Sequence, residues 1–175
     1  MRTSLILTAI GPDKPGLVEL LSTTLAEHRA NWQQSNMSRL AGQFAGILIA
    51  SVDTERVDAL LKALNDLEGR GLKVSVVTEA DNSATAPNLY SGQTLTLELI
   101  GHDKAGIVRD ISRALAGFNI SVDELTTEVV SGSMSAELLF KAEASLRVPE
   151  GTNLDDLQES LEAIASDLMV DLTLT

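Results

Sequence analysis

The sequence predicts an α+β protein built from two consecutive domains that share one element order, β-α-β-β-α-β. Residues 10–18, Ile-Gly-Pro-Asp-Lys-Pro-Gly-Leu-Val, recur ninety positions later as Ile-Gly-His-Asp-Lys-Ala-Gly-Ile-Val at 100–108. A shared period of this length marks an internal duplication. Alternating apolar runs precede each copy of the loop, and apolar residues at helical spacing follow it. The 175 residues therefore divide into two units rather than one. Each unit has roughly 80 residues, near the lower size at which a hydrophobic core sustains a fold unaided.

Taken in order, Leu5, Leu7 and Ala9 alternate into the first loop, as Leu95, Leu97 and Leu99 do into the second. Leu17, Val18, Leu21 and Leu25 then make a helical stripe, matched by Ile107, Val108, Ile111, Leu115 and Phe118. Extended stretches follow at Trp32–Leu40 and Phe44–Val52, and at Ile120–Val130 and Met134–Val148, with turns at Gly42 and at Ser131-Gly132-Ser133. A second helix carries Val57, Leu60, Leu61, Leu64 and Leu67 in one copy. Its counterpart carries Leu154, Leu157, Leu161, Ile164 and Leu168. Each copy closes on an alternation, Leu72-Val74-Val76 or Val170-Leu172-Leu174. The domains expected are 1–80 and 93–175, joined by a short-sided, polar, proline-containing linker at 81–92. Two β-α-β halves give a four-stranded antiparallel sheet with both helices on one face, the ferredoxin-like arrangement. The other sheet face should bear Thr94, Thr96 and Glu98 in the second domain, and the more apolar Ile6, Thr8 and Ile10 in the first.

Composition excludes several functions that this architecture can host. There is no cysteine, so disulfides, thiolate metal sites and cysteine nucleophiles are ruled out, and two histidines make a poor metal site. Five aromatic residues, none alternating along a central strand, do not make a base-stacking platform. The loops hold Lys14 and Lys104 but no arginine to cradle an acyl phosphate. No nucleophile–base–acid set stands out, so no catalytic residue, metal or cofactor is expected. Residues 1–80 carry eight Lys/Arg against nine Asp/Glu, whereas 81–175 carry five against sixteen. Such an acidic half repels phosphate backbones, which argues against direct nucleic-acid binding. The N-terminal apolar stretch is too short to span a membrane and lacks a small-residue cleavage site, so it reads as a strand of a cytoplasmic protein.

The loops carry the candidate chemistry. Asp13 is expected to cap the first helix by accepting from the Gly16 N–H, with Pro15 in the first turn. Gly16 admits close approach of a ligand, and the N–H groups of Gly16 and Leu17 can hold a carboxylate at the positive end of the helix. Asn31 offers an amide to the polar ends of an amino acid. The second copy provides Asp103, Gly106, Ile107 and Asn119; its asparagine is two residues nearer the loop glycine. The plainer reading of the same residues is a tight turn that starts a helix. Lys14 and Lys104 read either as attractors of a carboxylate or as solvated side chains, and His102 as an exposed loop residue.

The pattern Asp-x-x-Gly-[Leu/Ile]-Val, at Asp13–Val18 and Asp103–Val108, with Asn31-Trp32 and Asn119-Ile120 downstream, resembles the ACT domain family. The resemblance runs over nearly the whole chain twice. Two such domains with no catalytic domain attached are similar to the glycine cleavage system transcriptional repressor family. That resemblance implies a non-enzymatic regulator in which a small amino acid, glycine first among candidates, binds at the loops. It also implies action through a partner transcription regulator rather than on DNA. Exposed sheet edges and two small cores further suggest a homodimer. The competing reading is a structural dimerisation subunit with no small-molecule ligand.

Overall fold

The computed structural model describes residues 1–79, 91–134 and 136–175. The chain divides into two compact units, Met1–Ala86 and Pro87–Thr175. Apart from Ser91 and Gly92, the expected linker lies outside the described residues. In the first unit, β1 (Arg2–Pro12), α1 (Leu17–Glu27), β2 (Asn31–Leu40), β3 (Gln43–Asp53), α2 (Val57–Asp66) and β4 (Lys73–Thr78) follow one another. Short 3-10 turns at Thr54–Arg56 and Leu67–Arg70 flank α2. The second unit repeats the order with β5 (Gln93–His102), α3 (Ile107–Gly117), β6 (Ser121–Ser131), β7 (Leu138–Val148), α4 (Leu154–Leu168) and β8 (Val170–Leu174).

Each unit holds one four-stranded antiparallel sheet, ordered β2-β3-β1-β4 or β6-β7-β5-β8. The α+β, ferredoxin-like arrangement expected from the element order is the one observed. Strand alternation sends Leu5, Leu7 and Ala9 inward, where they meet Leu21 and Leu25 of α1 and Leu60 and Leu64 of α2. Leu97 and Leu99 meet Ile107, Ile111 and Leu115 of α3 and Leu157 and Leu161 of α4 in a separate core. Thr8, Ile10, Thr94 and Glu98 point to the opposite, exposed face, as expected. No helix among the described residues is long and apolar enough to cross a membrane.

The two units keep an offset of ninety from β1 through β2, including a bulge after Trp32 that recurs after Val122. The hairpins then differ. Ala41 and Gly42, both at positive φ, make a two-residue turn. In the second unit Ser131 pairs with Leu138 across a six-residue loop, in which the Gly132 N–H donates to the Glu137 carbonyl at 2.9 Å. β7 thus begins at Leu138 rather than Met134, and Ser131-Gly132-Ser133 only opens the loop. The helical stripes are also narrower than expected. Val18 and Val108 are exposed, because Leu17, Leu21 and Leu25 (or Ile107, Ile111 and Leu115) already fill the line facing the sheet.

Candidate functional site

Both loops are built alike. Gly16 and Gly106 serve as helix N-caps at φ 92°, the left-handed region where glycine carries no side-chain penalty. No side chain caps either helix. The first intrahelical bonds run from the Leu20 N–H to the Gly16 carbonyl (2.9 Å) and from the Asp110 N–H to the Gly106 carbonyl (3.0 Å). The N–H groups of Leu17, Val18 and Glu19, and of Ile107, Val108 and Arg109, therefore precede the helical ladder. They point out at the positive end of the helix dipole, an arrangement suited to an anion.

Asp13 does not cap α1. A left-handed glycine occupies the cap position, and the Asp13 carboxylate instead takes the Arg39 Nε at 3.1 Å. The Asp13 N–H donates to the Gly42 carbonyl (2.8 Å) and the Asp103 N–H to the Leu138 carbonyl (3.1 Å), so each loop is tied to its neighbouring hairpin. Pro15 lies before the cap rather than in the first helical turn. His102 ends β5, exposed, with Nδ1 3.4 Å from Glu137 Oε2, an ion pair only when the imidazole is protonated.

The asparagines are not counterparts. The offset of ninety aligns Asn119 with Arg29, and both stand at φ 56° just past their helices. Left-handed geometry favours Asn at such a position, which accounts for Asn119 structurally. Asn31 aligns with Ser121 and opens β2, level with Ser51 and, through it, Ser4. The Asp13–Gly16 loop follows the other end of β1, after Pro12. Eight strand residues separate the two levels, about 26 Å. Within one domain, then, Asn31 and the loop of Gly16 and Leu17 cannot touch one ligand.

Sequence reasoning singled out Lys14, Pro15 and Gly16 but not Glu19, Thr23 or Arg70, which also surround the first loop. Lys14, Pro15, Gly16, Glu19, Thr23 and Arg70 line an open depression of about 690 Å³. Lys14 Nζ donates to the Arg70 carbonyl (2.8 Å), and Lys104 Nζ to the Leu168 carbonyl (3.0 Å). Each lysine thus tethers its loop to the carbonyl end of the second helical segment, where a cation is favoured. Neither is simply a solvated side chain, and the matched position in both copies was the available signal. Lys14→Met is expected to cost about 1 kcal/mol, the usual worth of one such bond. Denaturant unfolding followed by Trp32 fluorescence would measure it.

The cations offered to an anion differ between the copies. Arg70 borders the first loop, where Leu168 takes the corresponding place in the second. Arg109, at the position of Glu19, lies over Gly106: a Cβ built on that glycine would come 2.9 Å from its Nη2. The hydrogen bond and charge of Asp110, 2.9 Å from Arg109 Nε, raise the guanidinium pKa above its ordinary value.

A family model described as the ACT domain matches this chain twice, over residues 3–77 and 93–175. The chain is similar to the glycine cleavage system transcriptional repressor of Escherichia coli, with 16% identity over 164 residues, 94% of this chain and 85% of that protein. The crystal structure of an unknown protein from Galdieria sulphuraria superposes with a TM-score of 0.82 at 24% identity, covering 99% of this chain and 98% of that one. A second crystal structure, of a provisionally assigned glycine cleavage system transcriptional repressor, gives 0.71 at 21%, covering 100% and 97%. At those identities the two structures speak to the fold. The family model, matching both repeats, decides the assignment: this chain belongs to the ACT domain family, as a tandem pair of such domains.

Proposed function

We propose that this protein is a non-enzymatic regulator that binds a small amino acid at its loops and transmits the occupancy to a transcription regulator by protein contact. The observation that carries the reading is the duplicated uncapped helix N-terminus behind a left-handed glycine, with an arginine beside each loop. That set suits a carboxylate. Family membership and similarity to a protein named as a repressor support a regulatory role, with glycine as the first candidate effector. The carboxylate would rest on the N–H groups of Gly16 and Leu17, and on those of Gly106 and Ile107. The acidic second half disfavours direct DNA contact. We take the working form to be a cytoplasmic homodimer; the exposed Ile10, Ile47 and Val77 on the outer sheet face of the first domain support pairing.

Calorimetric titration with glycine, serine and larger amino acids tests the reading. Wild type should bind at least one of them at millimolar concentration or tighter; binding of none leaves the structural dimerisation subunit as the function. Asn31→Ala separates two geometries. A ligand held by one domain alone should bind unchanged. A ligand held between the loop and a neighbouring domain's Asn31 should lose about fivefold, the equivalent of one hydrogen bond of roughly 1 kcal/mol.

A further inference from the structure

The second domain keeps an unfilled space within its own core. A cavity of about 40 Å³ lies between α3 and the sheet, on the side of β6 and β7. Its floor includes Leu97, Leu99, Ile111 and Ala144, all buried, and its rim includes Val108 and Leu125, both exposed. These residues all belong to one unit. Among the described residues of the lining, Ser112 alone carries a polar side chain. A space so lined offers water few partners and suits a hydrocarbon group.

The wall of this cavity has changed between the copies. In the first domain Ser35 of β2 pairs with Leu48 of β3; in the second the corresponding pair is Leu125 of β6 with Ala144 of β7. The large apolar side chain has moved from the floor to the rim. A methyl group remains on the floor opposite Leu97, and an isobutyl group replaces a hydroxyl above it.

The cavity also adjoins the second loop. Ile107 and Val108, which line it, are the first two residues of α3, and their N–H groups precede the helical ladder. Phe140, at the same end, lies opposite Gly101, where β5 runs into the loop. A carboxylate on those N–H groups would have a hydrocarbon-lined space beside it.

We propose that the second loop takes an amino acid with a branched aliphatic side chain, and that this cavity receives the side chain. The assignment rests on the reading that the loops bind an amino acid, and it names the class for the second one. Glycine would leave the space empty, so the second loop distinguishes amino acids by the hydrocarbon they bring.

Nuclear magnetic resonance of the full chain, resolved at amides and methyl groups, tests this by titration with glycine, valine, leucine and threonine. Valine or leucine should bind at the Ile107 amide about tenfold tighter than glycine or more, as even one methylene in an apolar pocket earns that much. The methyl signals of Ile111, Ala142 and Ala144 should move with them. Threonine, shaped like valine but with a hydroxyl in place of one methyl, should bind about tenfold weaker than valine, because that hydroxyl is buried without a partner. Ala144→Leu, which installs the residue found at position 48, should abolish the preference for a branched side chain. Leu125→Ser, which installs the residue found at position 35, should reduce the preference severalfold. Its site is exposed, so it serves even if Ala144→Leu misfolds, which a melting curve reveals. Equal binding of glycine and the aliphatic amino acids at the second loop, threonine as tight as valine, or a preference unchanged in either folded variant overturns the proposal and leaves the sensor reading standing. Amino-acid binding confined to the Gly16 and Leu17 amides does the same. Binding of no amino acid overturns both.

Discussion

Leu21→Ala should destabilise the first domain by about 2–5 kcal/mol and leave the second nearly untouched, the usual range for a leucine truncated in a core. Leu21 is fully buried between α1 and the sheet, in contact with a cluster confined to residues 5–72. The buried residues of the second core fall between Leu97 and Val170, with Leu95, Leu172 and Leu174 packed against them. Trp32, the single tryptophan, packs against the first core and so reports that domain alone. For a domain of this size each kcal/mol moves the melting temperature by about 4–8 °C, so its fluorescence transition should fall by about 10 °C or more. Ile111→Ala should leave that fluorescence transition in place while lowering a second transition seen by circular dichroism. A single transition shifted equally by both variants would contradict two separate cores.

Gly16→Val should cost about 1–3 kcal/mol, the strain of holding a branched residue in the left-handed region. Space is not the problem: a Cβ at Gly16 meets nothing within 4 Å, whereas its φ is 92°. The penalty is therefore in the backbone, and the substitution is a poor probe of ligand access because it displaces the N–H groups it is meant to leave intact. Gly69→Ala provides the contrast. It also has open space, but lies in the 3-10 turn outside the left-handed region, and should be neutral or stabilising by about 0.4–1 kcal/mol through the unfolded chain. Chemical denaturation of both variants measures the difference; equal effects would mean that the loop does not require glycine.

The fold was legible because each signal was local and appeared twice. Alternation in β1 and β5 and the stripes ending in Leu25 and Leu115 specify faces without any long-range knowledge. The loop chemistry was less legible, for identifiable reasons. Asp13 sits where a capping residue is expected, but its true partner, Arg39, is brought near by the β2–β3 hairpin. Arg70 reaches the first loop through the packing of α2, across fifty-six positions of sequence from Lys14. Asn31 and Asn119 were matched by residue type, whereas the backbone aligns Asn119 with Arg29. The six-residue loop after Ser131 hid the true end of the hairpin, since the pairing of Pro12 with Gln43 and of His102 with Leu139 raises the offset from 90 to 96 only beyond that point.

The matched lysines show the converse. Lys14 and Lys104 recur at corresponding positions and each donates to a carbonyl at the end of the second helical segment, so recurrence identified positions under structural constraint even where their role was open. Departures between the copies are the more informative for function. Glu19 against Arg109, and Arg70 against Leu168, give the two loops different charges, so their affinities for one carboxylate ligand should differ. Leu48 against Ala144, each opposite a buried leucine of the central strand, gives the second core the smaller side chain at that level.

The central claim is that the paired helix N-termini receive an amino acid. Amide-resolved nuclear magnetic resonance of the full chain, titrated with glycine and then with the other amino acids, tests it most directly. Saturable shifts concentrated at the amides of Gly16 and Leu17, at those of Gly106 and Ile107, or at both, are the result expected. Shifts confined to other surfaces, or none at millimolar concentrations of any amino acid, would contradict it.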